Sequence, residues 1–106
     1  MTNYAENARI FKVLSDPNRL KILDILSCGE RCVCDILEFF DFTQPTLSYH
    51  MKVLMEAGLV NVRREGLWSH YSLNKENCNR LIGVLMNMVN DTNSCICKNI
   101  RKEVTK

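Results

Sequence analysis

A chain of 106 residues bounds one domain with little core to spare. Hydrophobic and charged fractions of 46% and 25% are ordinary for a globular chain, and a net charge of +2 cannot argue for nucleic acid by itself, so any such case rests on where the cations sit. No N-terminal segment joins positive charge to an apolar run, and the longest apolar stretch, Leu81 to Val89, is interrupted and too short for a bilayer; no signal peptide or membrane contact is expected, and the cytoplasm is the expected location.

Tyr4 to Leu14 carries Ala8, Phe11 and Leu14 on one side, which predicts a short helix ending near Ser15. Asp16 then stands where an N-cap belongs and Pro17 at the first helical position. Leu20, Ile22, Leu23, Ile25 and Leu26 make this second helix apolar over a broad arc, so it belongs in the core until Gly29 stops it.

Val33 to Val60 reads as a short helix, a tight turn and a second helix. In that second helix Leu47, Met51, Leu54 and Met55 form one apolar stripe, with Thr43 at the N-cap, Pro45 in the first turn and Gly58 at the end. Set back from the stripe are Gln44, Thr46, Ser48, Tyr49 and Lys52, short polar or cationic side chains near the helix start. Helix-turn-helix proteins read base edges with residues so placed, and the same pattern fits a plain amphipathic helix with a solvated face.

The following segment separates the two readings. Leu59 to Arg64 alternates like a half-buried strand, Glu65 and Gly66 supply a turn, and Leu67 to Leu73 returns with Tyr71 and Leu73 on one face and Trp68, His70 and Ser72 on the other. A hairpin directly after a helix-turn-helix, with Arg63 and Arg64 expected at its tip, is the layout of a winged helix: the arginines neutralise phosphates while the helix enters the major groove. The fold expected is mainly α with a β-hairpin wing, in the order α-α-α-α-β-β-α.

The last helix, from Lys75 to about Val89 behind Asn74 as N-cap, is apolar over far more than one face. A small domain cannot bury such a helix alone, so the first and last helices are the expected interface of a homodimer. A two-fold pair of reading helices could reach major grooves about 34 Å apart on double-stranded DNA. Residues 1–92 are therefore taken as the DNA-binding and dimerisation domain, and 93–106 as a polar tail holding Cys95 and Cys97.

Six cysteines without an export signal point to metal ligands or redox thiols rather than to a disulfide scaffold. Cys32 and Cys34 straddle the start of the helix before the reading helix, where free N–H groups and the dipole favour thiolates. On a regular helix, side chains two residues apart diverge, so gripping one ion is expected to require that the first turn loosen. Thiolates select soft ions. Cys78 reads as core, and so does His50, as a hydrogen-bonded histidine at the edge of its helix. His70 lies on the outer strand face.

The blocks DPNRLKIL (Asp16 to Leu23), ERCVCDIL (Glu30 to Leu37), TQPTLSYHMKVLMEAGLV (Thr43 to Val60) and REGLWSHYSL (Arg64 to Leu73) resemble those of the ArsR/SmtB repressors, over nearly the whole chain. The resemblance implies a homodimeric winged-helix repressor that leaves its operator on binding trivalent arsenic or antimony through Cys32 and Cys34, with no organic cofactor. Some arsenic-responsive members carry a third cysteine one turn after the pair, where this chain has Leu37. Cys28 is the nearer substitute, though Gly29 intervenes; Cys95 and Cys97 could form a second site or close the first across the dimer. Zinc-sensing members bind metal through Asp and His on the last helix, which here has no histidine. Cadmium, lead or oxidants acting on the same thiols remain open, as does a thiol oxidoreductase or metal carrier. A redox enzyme of the familiar kind wants C-x-x-C on a βαβ unit, and no nucleophile–base pair is visible, so an enzyme is not expected.

Overall fold

A computed structural model describes residues 3–90; the tail cysteines Cys95 and Cys97 lie outside that range. Each helix starts at the residue whose chemistry suits it. Asn3 caps α1 (Tyr4–Val13), its side chain accepting from the Glu6 N–H. Asp16 caps α2 (Pro17–Leu26) by accepting from the N–H groups of Asn18 and Arg19 at 2.7 and 3.3 Å. Burial of the Asp16 carboxyl works against ionisation, but these two bonds, with the nearby Arg19 charge, outweigh it and hold its pKa below the usual value.

The chain then forms β1 (Arg31–Cys32), α3 (Val33–Leu37) and α4 (Gln44–Glu56), followed by the hairpin β2 (Val60–Glu65) and β3 (Trp68–Leu73) and by α5 (Lys75–Val89). Thr43 occupies the N-cap of α4, but its side chain makes no capping bond. The far end of α4 is closed twice: the Gly58 N–H donates to the Met55 carbonyl at 2.9 Å and the Leu59 N–H to the Leu54 carbonyl at 3.0 Å. That pairing needs a left-handed residue between them, and Gly58 supplies it at φ +79°.

The expected order of elements holds, with one addition. The sheet has three strands in the order β1-β3-β2, all antiparallel, because Arg31 and Cys32 pair with Tyr71 and His70 of β3. Two residues of strand between a glycine turn and a helix have no periodicity of their own, so this strand is invisible to pattern reading.

The core gathers Ile22 and Leu26 of α2, Val33 and Ile36 of α3, and Leu47, Met51 and Leu54 of α4. Leu59, Val60 and Tyr71 from the sheet side and Leu81 of α5 complete it. The broad apolar arc of α2 is used except at one residue: Ile22 and Leu26 are buried, Leu23 and Ile25 are half-buried against the core, and Leu20 is exposed. On α5 only Leu81 is buried, and Ile82, Leu85, Met86 and Val89 stand exposed at i, i+3, i+4 and i+7. This second stripe has no cover within residues 3–90.

Candidate nucleic-acid interface and thiol site

The reading helix is anchored from behind. Leu47, Met51 and Leu54 are fully buried against α2 and the sheet, each contributing about 1.5–3 kcal/mol by leaving water. His50 is buried beside them, and its Nδ1 accepts from the Arg19 guanidinium at 3.2 Å; since arginine can only donate, the ring hydrogen sits on Nε2. Arg19 also donates to the Val13 carbonyl at 2.7 Å, tying α1, α2 and α4 together. The structural role expected of His50 holds.

With that face buried, the opposite face is free. Gln44, Thr46, Ser48, Tyr49 and Lys52 are all exposed, Tyr49 to 60%. The turn leading into α4 is held by side-chain contacts: the Phe40 and Phe42 rings stack at 4.5 Å, and Lys21 sits over Phe40 while donating to the Phe39 carbonyl at 2.7 Å. Lys21 had no signal in the sequence beyond being a cation on an exposed face. Its partner lies eighteen residues away.

The wing differs from expectation in a way strand alternation explains. Glu65 pairs with Trp68, so the loop is Gly66–Leu67, and Arg63 and Arg64 lie in the strand leading to it rather than at its tip. Gly66 takes φ +61° at the first loop position while Leu67 keeps a negative φ, as a two-residue turn of type II′ requires. The tip itself shows Leu67, 99% exposed. Adjacent strand residues point to opposite faces. Arg64 donates to the Ser69 hydroxyl at 2.7 Å, whereas Arg63 grips Glu30 with Nε and Nη2, and these hydrogen bonds, with the guanidinium charge, hold the Glu30 carboxyl below the usual range.

The two thiols meet where β1 becomes α3. Cys32 is the N-cap residue of α3, with an extended backbone (φ −70°, ψ 150°), and Cys34 lies in the first turn. Because Cys32 is outside the helix, its side chain is not bound by helical spacing, and the Cys34 thiol donates to the Cys32 sulfur at 3.0 Å. The expectation that a helix start would hold these sulfurs apart is therefore corrected: they converge with the turn intact. For Cys34 the expected thiolate character is corrected as well. The Cys32 sulfur that accepts the Cys34 proton pushes the Cys34 pKa up, with desolvation and the Asp35 charge adding to it, and together these outweigh the Asp35 backbone N–H at the start of α3, which pulls it down.

Among the described residues, no third His, Cys, Asp or Glu joins the pair in a group able to hold an ion. Cys28 is exposed in the turn after α2 and is not brought to them. Cys78 is half-buried on α5 with its thiol toward the Leu59 carbonyl at 3.6 Å, and burial pushes its pKa up, as a core cysteine requires. His70 follows Cys32 across the sheet and lies 3.6 Å from Glu65.

Three comparisons bear on this geometry. Residues 16–62 match the family model described as "Bacterial regulatory protein, arsR family". The chain is 49% identical over 100 residues to the arsenical resistance operon repressor of Staphylococcus aureus, covering 93% of this chain and 95% of that one. It is also similar to a crystal structure of an ArsR family transcriptional regulator, with a TM-score of 0.73 at 28% identity over 81% of this chain and 90% of that one. A solution structure of a homodimeric winged helix-turn-helix DNA-binding domain from Mycobacterium bovis gives a TM-score of 0.65 at 32% identity, over 77% of each chain.

Proposed function

This chain belongs to the arsR family of bacterial regulatory proteins, a transcriptional repressor and not an enzyme, and from that we propose that it is a metalloid-responsive repressor. In this reading a homodimer holds operator DNA and is released when Cys32 and Cys34 bind trivalent arsenic or antimony. The observation that carries the reading is the 3.0 Å approach of the two sulfurs at the head of the helix-turn-helix. The name borne by the Staphylococcus aureus relative supports the same ligand class.

DNA contact is assigned to the exposed face of α4, with Gln44, Thr46, Ser48 and Tyr49 toward base edges and Lys52 toward the backbone. Arg63 and Arg64 are the wing's phosphate partners. The dimer is placed on α1 and the exposed α5 stripe of Ile82, Leu85, Met86 and Val89, which nothing in residues 3–90 covers; the homodimeric neighbour from Mycobacterium bovis supports dimerisation itself.

Coupling follows from position. Arsenite or antimonite bound to both sulfurs replaces their two thiol protons, which leave with two of its hydroxyls as water, by two covalent contacts at the joint between β1 and α3. Movement there reaches α4 through the turn and the wing through β3. Release requires only that the ion bind the DNA-incompetent arrangement more tightly than the competent one. A third ligand, if the site is three-coordinate, comes from Cys28, Cys95 or Cys97.

The reading is tested with reduced protein and a duplex selected from a random pool by repeated rounds of binding. Arsenite and antimonite, added stoichiometrically, are expected to free the duplex in a mobility-shift gel. Release by cadmium or lead with none by arsenite would move the inducer to another soft ion, and no duplex retained at all would end the repressor reading.

A further inference from the structure

Arg63 is not available to a phosphate as it stands. Its Nε and Nη2 donate to the two carboxylate oxygens of Glu30 at 3.2 and 2.8 Å, and its Nη1 lies 3.5 Å from Glu65. All three guanidinium nitrogens thus face carboxylates. The Glu30 contact is the bidentate fork with which arginine also grips phosphate, so one partner excludes the other.

The pair spans the sheet. Glu30 immediately precedes β1, Arg63 belongs to β2, and β3 runs between them, with His70 paired to Cys32 on one side and to Arg63 on the other. Residues in one such row point to the same face. Glu30 makes no ion pair other than Arg63 among the described residues, and it lies two positions from the first thiol. Both side chains are partly open to solvent, so a duplex can reach the pair.

We propose that Glu30 competes with operator phosphate for the Arg63 guanidinium, so that the segment bearing the thiol pair holds the wing's cation in reserve. The proposal rests on the operator-binding reading above and adds to it a residue that sets affinity from the protein side. Before Arg63 can neutralise a phosphate, its fork must leave Glu30, once in each protomer. Glutamine at position 30 keeps the shape and removes the charge, which leaves the guanidinium free for the backbone of the duplex.

The test measures operator affinity by fluorescence anisotropy at one fixed salt concentration, with the selected duplex and the full-length protein. Glu30→Gln is expected to bind about three- to tenfold more tightly than wild type, as two released surface pairs per dimer allow. Arg63→Gln is expected to weaken wild-type binding by less than the Glu30→Gln gain and to abolish that gain in the Glu30→Gln background, a non-additivity that a general loss of negative charge does not produce. Glu76→Gln, an exposed carboxylate in the first turn of α5, is the control for net charge alone. An unchanged Glu30→Gln affinity, a gain that survives Arg63→Gln, or an equal gain from Glu76→Gln would overturn the proposal. Circular dichroism melts of each variant establish folding, and Glu30→Ser replaces Glu30→Gln if the latter is unstable. Wild-type protein that binds no duplex defeats the repressor reading and this proposal together; tight wild-type binding with a flat Glu30→Gln response defeats this proposal alone.

Discussion

Cys32 and Arg63 flank the same residue: each pairs across the sheet with His70, Cys32 from β1 and Arg63 from β2. The first of the two metalloid-binding thiols proposed here and the wing's first arginine are therefore one row of a three-stranded sheet. The same β1 strand runs directly into α3, the first helix of the helix-turn-helix. A disturbance at the sulfurs has two short routes, one to the wing through β3 and one to the reading helix through the turn at Phe39 to Thr43.

If α4 reads bases, its exposed polar residues carry specificity. Replacing Tyr49 or Ser48 by alanine is expected to weaken binding to the selected duplex by about 1–3 kcal/mol while leaving binding to random duplex little changed. Competition gels with the two duplexes give the ratio directly. Equal losses on both would mean that neither side chain discriminates sequence.

Arg64 lies on the opposite face of the wing from Arg63 and, among the described residues, is tied only to a neutral partner, the Ser69 hydroxyl. Arg64→Ala is expected to flatten the plot of log affinity against log salt by roughly 0.9 for each protomer. A slope identical to wild type would remove Arg64 from the phosphate contacts.

Gly58 closes α4 at φ +79°, and a Cβ added there would meet the Asn77 Nδ2 at 3.1 Å, the same nitrogen that donates to the Gly58 carbonyl at 2.8 Å. Gly58→Ala is expected to cost about 1–2 kcal/mol from the left-handed backbone alone. Thermal melts should show the loss, and a melting temperature at or above that of wild type would contradict this view of the helix end.

Asp16 tests the start of α2. Asp16→Ala removes an N-cap and is expected to cost about 0.5–2 kcal/mol near neutral pH. The folded-state pKa of Asp16 lies below its unfolded value, so the ionised carboxylate's contribution is complete above the unfolded value and fades as pH falls through the folded one. Denaturant titrations of wild type and Asp16→Asn, which keeps the acceptor without the charge, should converge in acid. A difference that grows on acidification would reverse the assigned sign.

Much of this arrangement is legible in the chain itself. Leu47, Met51 and Leu54 repeat at helical period and do bury, leaving Tyr49 and Lys52 outside, and Gly58 and Gly66 mark the two left-handed positions that shape the ends of α4 and the wing. What escapes a sequence reading is long-range pairing. Nothing local announces that Arg31–Cys32 will join β3, that Lys21 will reach Phe39, or that Glu30 will hold Arg63 across thirty-three positions. The thiol geometry escapes for a related reason: helical spacing misleads at Cys32 because that residue is still extended when α3 begins.

The most direct test of the account follows operator occupancy by anisotropy while the reduced dimer is titrated with arsenite, for wild type and for the Cys32→Ser/Cys34→Ser double variant. Both proteins are expected to bind the duplex alike, with arsenite releasing wild type near one equivalent per protomer while the double variant stays bound. Release of the variant at the same arsenite concentration would contradict this.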